Sequence, residues 1–161
     1  MCPTNSEQIV AVDSHIATYF VRAERDSRPQ SNDLEREYKA VYEIALTYGF
    51  WLLPKVEEEL QKIPNAADRL QHDQSLIQLF RITNLRESSQ IESRTKELLN
   101  WHNDENDCRI LAEAEALEAN ILLTFDGDFQ KRLNPHARIK LVKPSQLKIP
   151  AGTPHKFRRE N

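Results

Sequence analysis

The stretch Ile121-Leu122-Leu123-Thr124-Phe125-Asp126 decides the fold. Its first four residues form an uninterrupted apolar run ended by an acid, the pattern of a strand buried on both faces of a parallel sheet. The segment before it, Asp107 to Ala119, is rich in Ala, Glu and Leu and reads as helix. Outward from this helix–strand unit the alternation repeats. Ile9 to Val12 is a second buried-strand run, ending at Asp13. Phe50 to Leu53 is a third, opened after Gly49 and closed by Pro54, and Ile139 to Val142 is a weaker, edge-like fourth. Between them, helix is expected over Asp33–Tyr48, Val56–Ile63, Ala67 to about Leu85, and Ser88 to about Asn100. Only a turn is read between the Ile121–Thr124 strand and the last one. Alternating strands and helices predict a three-layer α/β/α fold with a mostly parallel central sheet.

Composition narrows the function. The chain has 161 residues, 39% hydrophobic and 29% charged, which suits one globular domain. No run is long and apolar enough for a membrane helix, and residues 1–7 do not read as a signal peptide, so a cytoplasmic protein is expected. Two cysteines exclude a disulfide framework, and three glycines exclude Gly-rich phosphate loops. The net charge of −3 is uneven: residues 1–130 carry −11 and residues 131–161 carry +8. The domain is expected to span 1–147, with 148–161 a basic, flexible tail.

Ligands of open parallel sheets sit at the carboxyl ends of the strands. Asp13 ends the Ile9–Val12 run and Asp126 lies just beyond the Ile121–Thr124 run, so both carboxylates belong to one crevice. Among Glu57, Glu58 and Glu59, a turn of about 100° per residue puts Glu59 nearest the buried face marked by Val56, Leu60 and Ile63. Asp107 lies on the buried face of its helix, at the N-terminus. Glu118 falls about 16 Å further along that axis and does not join the site. Asp13, Glu59, Asp107 and Asp126 therefore form the candidate catalytic and metal-binding set, with Asp128 a fifth candidate ligand. Crowded carboxylates repel one another, and a hard cation, Mg²⁺ or Mn²⁺, relieves that repulsion. Ser14 and Thr124 are placed to hydrogen-bond those carboxylates, and Lys131 and Arg132 to contact a phosphate backbone. The histidines show no ligand spacing. Cys108 reads as a small buried apolar group, and Trp101 as a plug between two helices. Each acid also has a structural reading alone: Asp13 in a turn, Asp107 and Glu57 to Glu59 at helix starts, Asp126-Gly127-Asp128 as an Asx-type turn.

The same segments resemble the PIN-domain nucleases. Ile9-Val10-Ala11-Val12-Asp13-Ser14 looks like that family's opening strand, with His15 where an Asn is usual. Pro54 to Leu60 resembles the second-acid segment, Asn106 to Ala114 the third-acid helix, Ile121 to Phe129 the closing T-x-D-x-D-F segment, and Ile139 to Leu147 the last strand with its proline exit. The resemblance implies a metal-dependent endoribonuclease with a PIN fold. It assigns Asp13, Glu59, Asp107 and Asp126 to the metal site, with Asp128 a ligand or neighbour. Family members include toxins of toxin–antitoxin pairs, so the implied partners are RNA and an antitoxin protein. The long polar middle is a candidate homodimer face. The alternatives weighed are a catalytically weak or inactive PIN-like module binding RNA or a protein, a phosphotransfer enzyme and a DNA nuclease. A phosphotransfer enzyme would carry its Asp-x-Asp after the first strand. A DNA nuclease would need more chain to grip a duplex.

Overall fold

The computed structural model describes residues 7–22, 32–65 and 80–153. Five strands, β1 (Val10–Val12), β2 (Phe50–Leu52), β3 (Phe80–Ile82), β4 (Ile121–Leu123) and β5 (Lys140–Val142), form one sheet in the order β3-β2-β1-β4-β5. Every pairing is parallel. The α-helices among the described residues are α1 (Ser14–Arg22), α2 (Asn32–Tyr48), α3 (Pro54–Gln61), α4 (Ser89–Leu98), α5 (Glu105–Ala116) and α6 (Gly127–Leu133), and they flank the sheet to make the expected three-layer fold. No helix among the described residues is long and apolar enough to cross a membrane.

The apolar runs form the centre because parallel strands covered on both faces have no polar side to offer. Val10, Ala11, Val12, Leu122 and Leu123 are fully buried, beside Phe50, Leu111, Phe129 and Leu141. Val12 registers with Leu123, so the chain positions that follow β1 and β4 are immediate neighbours. The connections run from β1 toward β3 on one side and toward β5 on the other. The strand order therefore reverses between β1 and β4, where an open parallel sheet opens its crevice.

Two segments differ from the sequence expectation. Phe80-Arg81-Ile82 is a strand pairing with β2 rather than the end of a helix; residues 67–79 of that expected helix lie outside the described residues. Arg81 lies over the Trp51 ring and pairs with Glu7 at 2.9 Å, so a charged residue is accommodated on this edge strand. The turn expected after Asp126 is instead the two-turn helix α6, begun by the Asp126 side chain, which accepts hydrogen bonds from the Asp128 and Phe129 amides. Ser88 and Asp104 begin α4 and α5 in the same way.

Helix α5 ends on Glu118 in the left-handed region (φ 60°). The Ala119 amide bonds the Ala114 carbonyl and the Glu118 amide the Glu115 carbonyl, a Schellman closure that ordinarily takes glycine. The Cβ penalty of this conformation outweighs glycine's extra freedom in the unfolded chain. Glu118→Gly is accordingly expected to raise stability by about 0.5–1 kcal/mol in urea denaturation. A loss of stability would show that the Glu118 side chain makes a compensating contact.

A candidate carboxylate site

Strand β1 delivers Asp13 to the crevice, and the packing above it removes that side chain from water: it is 2% exposed. Its Oδ1 accepts the Ile16 amide at 3.0 Å, and its Oδ2 accepts the Thr124 hydroxyl, which arrives from the end of β4. Burial is the largest influence on the Asp13 carboxyl and pushes its pKa up to about 6; the two hydrogen bonds and His15 oppose this, and Asp107 adds to it. Thr124 works in both directions, since its Oγ1 also accepts the Asp126 amide at 3.0 Å. One hydroxyl thus links the first-strand acid to the segment carrying the fourth.

Asp107 lies in the first turn of α5, half-buried, with its pKa raised first by burial. His102 opposes the rise through a hydrogen bond, while Asp104 and Asp126 reinforce it. Asp13, Asp107 and Asp126 are therefore electrostatic neighbours: Asp107 acts on Asp13, and Asp126 on Asp107. Glu59 joins through Ser14, whose hydroxyl donates to Glu59 Oε2 from the residue next to Asp13. Glu58, one position away, is exposed and pairs with Lys55 and Lys62. Asp128 is exposed on the first turn of α6, and Lys131 and Arg132 are exposed on its last turn. The Lys143 ammonium, just past β5, stands 3.6 Å from where a side chain on Gly127 would begin, between the two aspartates of this loop.

The donor set suits a hard divalent cation in kind, being carboxylates, of which Asp107 raises the pKa of Asp13 and Asp126 that of Asp107. Among the described residues no three acidic, histidine or cysteine side chains stand close enough to hold an ion together.

Several residues near the site carried no signal in the sequence. His102 is buried with Nε2 2.8 Å from Asp107 Oδ2, although it shows no metal-ligand spacing. Glu113, buried inside α5, accepts the Lys55 amide at 2.9 Å and Arg109 Nε at 3.0 Å, fixing the start of α3 against α5. Burial raises its pKa, and those partners oppose the rise. Trp101 is 37% exposed and stacks on His136 with ring centroids 3.8 Å apart, rather than filling a gap between helices. Cys108 is buried and free, and desolvation pushes its thiol up to about 11, as befits an unreactive packing group. His72 and His155 lie outside the described residues, as do residues 154–161 of the basic tail.

No family model matches the chain, and no curated protein does. Solved structures do. The chain is similar to VapBC2 from Rickettsia felis, bound to a DNA fragment from its promoter, at 17% identity over 83% of this chain and 97% of that one, with a TM-score of 0.55. It is also similar to FitAcB from Neisseria gonorrhoeae, at 15% identity over 86% of this chain and 100% of that one, with a TM-score of 0.57. At such identities the likeness is one of fold: the chain has the PIN-like three-layer architecture that its motifs resemble.

Proposed function

We propose that this chain is a metal-dependent endoribonuclease that hydrolyses RNA phosphodiester bonds at the carboxylate crevice, using Mg²⁺ or Mn²⁺. The observation that carries this reading is Asp13: a buried carboxyl at the strand-order reversal, with a pKa near 6, bridged by Thr124 toward Asp126 and opposed by Asp107. Natural proteins keep such a group where function needs it, because its charge opposes folding. Asp13, Asp107 and Asp126 would draw together to hold the ion, with Glu59 beside them and Asp128 at the margin. When bound, a divalent ion supplies water activation and charge stabilisation at a phosphate oxygen.

The chain's own groups do the rest. Thr124 and the Ile16 amide hold the Asp13 carboxyl in one orientation, and Ser14 does the same for Glu59. Lys143, Lys131 and Arg132 offset the acids and hold the phosphate backbone of RNA. The likeness to complexes of toxin–antitoxin type supports an antitoxin protein as a partner.

A second reading, a PIN-like module that binds RNA or protein without cutting, is favoured by one observation: no three side chains group to hold an ion among the described residues. One experiment separates the two. Given a mixed RNA pool, the protein is expected to cleave with Mg²⁺ or Mn²⁺ and not with chelator. Asp126→Asn is expected to be folded and inactive, because asparagine caps a helix about as well as aspartate. Cleavage in chelator, or undiminished cleavage by the variant, would overturn the proposal; binding without cleavage would favour the second reading.

A further inference from the structure

His102 sits in the loop between α4 and α5. The loop is fixed at both ends: the His102 amide bonds the Leu98 carbonyl at 3.2 Å, closing α4, and Asp104 caps α5. The Cys108 thiol adds a contact to the His102 carbonyl at 3.4 Å. The ring is thereby carried under the first turn of α5, where it is 7% exposed and reaches Asp107. Its face lies nearly parallel to the Phe129 ring of α6, centroids 5.9 Å apart and planes at 8°. Phe129 is three residues beyond Asp126 and is held by the Asp126 cap. The His102 ring therefore touches both elements that carry neighbouring acids, α5 through a hydrogen bond and α6 through a stack.

Its other nitrogen tells what the ring is for. Nδ1 is buried and has no hydrogen-bond partner among the described protein groups, the one such side-chain atom there. An imidazole kept only for packing would be better replaced by an apolar ring, which carries no unsatisfied nitrogen. Of the two neutral tautomers, the one with its proton on Nε2 leaves at Nδ1 an unused lone pair rather than a stranded N–H, and it donates to Asp107.

We infer that His102 is a positioning residue: its Nε2–H fixes the Asp107 carboxylate, and its stack on Phe129 fixes α6 with its Asp126 cap, the two acids that would share the ion. The inference rests on the proposed metal-dependent cleavage and adds a residue that acts through Asp107 without touching substrate.

Three variants test it. His102→Phe keeps the ring and its stack but loses the donor. His102→Gln carries an amide N–H out to about the position of Nε2. His102→Asn has the same chemistry one methylene shorter, and falls short of Asp107. Each is measured for the Mn²⁺ concentration giving half-maximal thermal stabilisation, and for kcat and KM on RNA. His102→Phe and His102→Asn are expected to need about 10–100 times more Mn²⁺ and to lose kcat by a similar factor. KM is expected to stay within about twofold, and His102→Gln to recover most of both losses. If His102→Phe fails to fold, the Gln and Asn pair decides alone. Unchanged Mn²⁺ midpoints and kcat in the variants lacking the donor would overturn the inference, as would a His102→Gln no better than His102→Asn. Wild-type protein that neither cleaves RNA nor responds to Mn²⁺ would overturn the functional reading and this inference with it. Wild-type cleavage with unaffected variants would overturn this inference alone.

Discussion

Asp13→Asn is expected to yield a protein that is more stable than the wild type at pH 8 in chelator and inactive on RNA. The sign follows from burial. The folded-state pKa of Asp13 is raised to about 6 from an ordinary value of 3.8. Between those values the folded protein binds a proton that the unfolded chain has released. Wild-type stability is therefore full below about pH 4, falls as pH rises toward 6 and stays on the lower level above it, a difference of about 3 kcal/mol for this one carboxyl. Asparagine removes the charge. It keeps an acceptor for the Ile16 amide and turns its NH₂ toward Thr124 Oγ1, which then accepts where it had donated. That exchange costs about 1 kcal/mol. The variant should thus gain about 2 kcal/mol at pH 8 and lose up to about 1 kcal/mol at pH 4, read by urea denaturation at the two values. Excess Mn²⁺ should stabilise the wild type and not the variant. Cleavage should fall by more than about 100-fold, beyond the effect of losing a mere supporting hydrogen bond. A variant destabilised equally at both pH values would mark Asp13 as a turn-forming group and remove the carboxylate crevice as the functional centre.

The parts of the fold that sequence made legible are those whose signal is local. Ile9 to Val12 and Ile121 to Thr124 are continuous apolar runs, and such runs have few places to go other than the middle of a parallel sheet. The acids ending them are then placed by topology alone, since β1 and β4 are neighbours with matched register. Helical geometry singled out Glu59 from three consecutive glutamates, and Glu59 is the one reached by Ser14. What escaped depends on distant partners. Phe80-Arg81-Ile82 is too short to show a period, and its charged centre is tolerated because Glu7 and Trp51 meet it. Glu113 looks like one more solvent-facing glutamate in an Ala/Glu helix, and only the approach of α3 and Arg109 gives it a buried use. His102 lies five residues before Asp107, a separation with no helical meaning. The two meet because the loop folds back between a closed α4 and a capped α5.

Arg94→Met is expected to cost about 3–5 kcal/mol, the largest stability loss of any single polar substitution proposed for this chain. Arg94 and Glu115 are 9% and 5% exposed, and the guanidinium presents a two-pronged contact, Nε to Oε2 at 2.8 Å and one terminal nitrogen to Oε1 at 3.1 Å. The same nitrogen donates to the His136 carbonyl at 2.7 Å, the other reaches Glu97 at 3.1 Å, and Glu115 Oε1 also accepts the Arg138 amide at 2.9 Å. Helices α4 and α5 and the turn leading into β5 are thus tied at one point. Glu115 raises the pKa of the guanidinium, charged in any case, through this hydrogen bond. Methionine fills much of the arginine's volume but leaves the Glu115 carboxylate buried with a single backbone donor, and that stranded charge is what destabilises. Lysine should rescue little, because a point charge cannot reproduce the fork or reach the His136 carbonyl at the same time. The double variant Arg94→Met with Glu115→Leu removes both charges and should recover most of the loss, giving a coupling energy of at least about 2–3 kcal/mol in a double-mutant cycle by urea denaturation. Single variants within about 0.5 kcal/mol of wild type, or losses that simply add, would show the pair to be solvated and the joint between α4, α5 and β5 to rest on apolar packing alone.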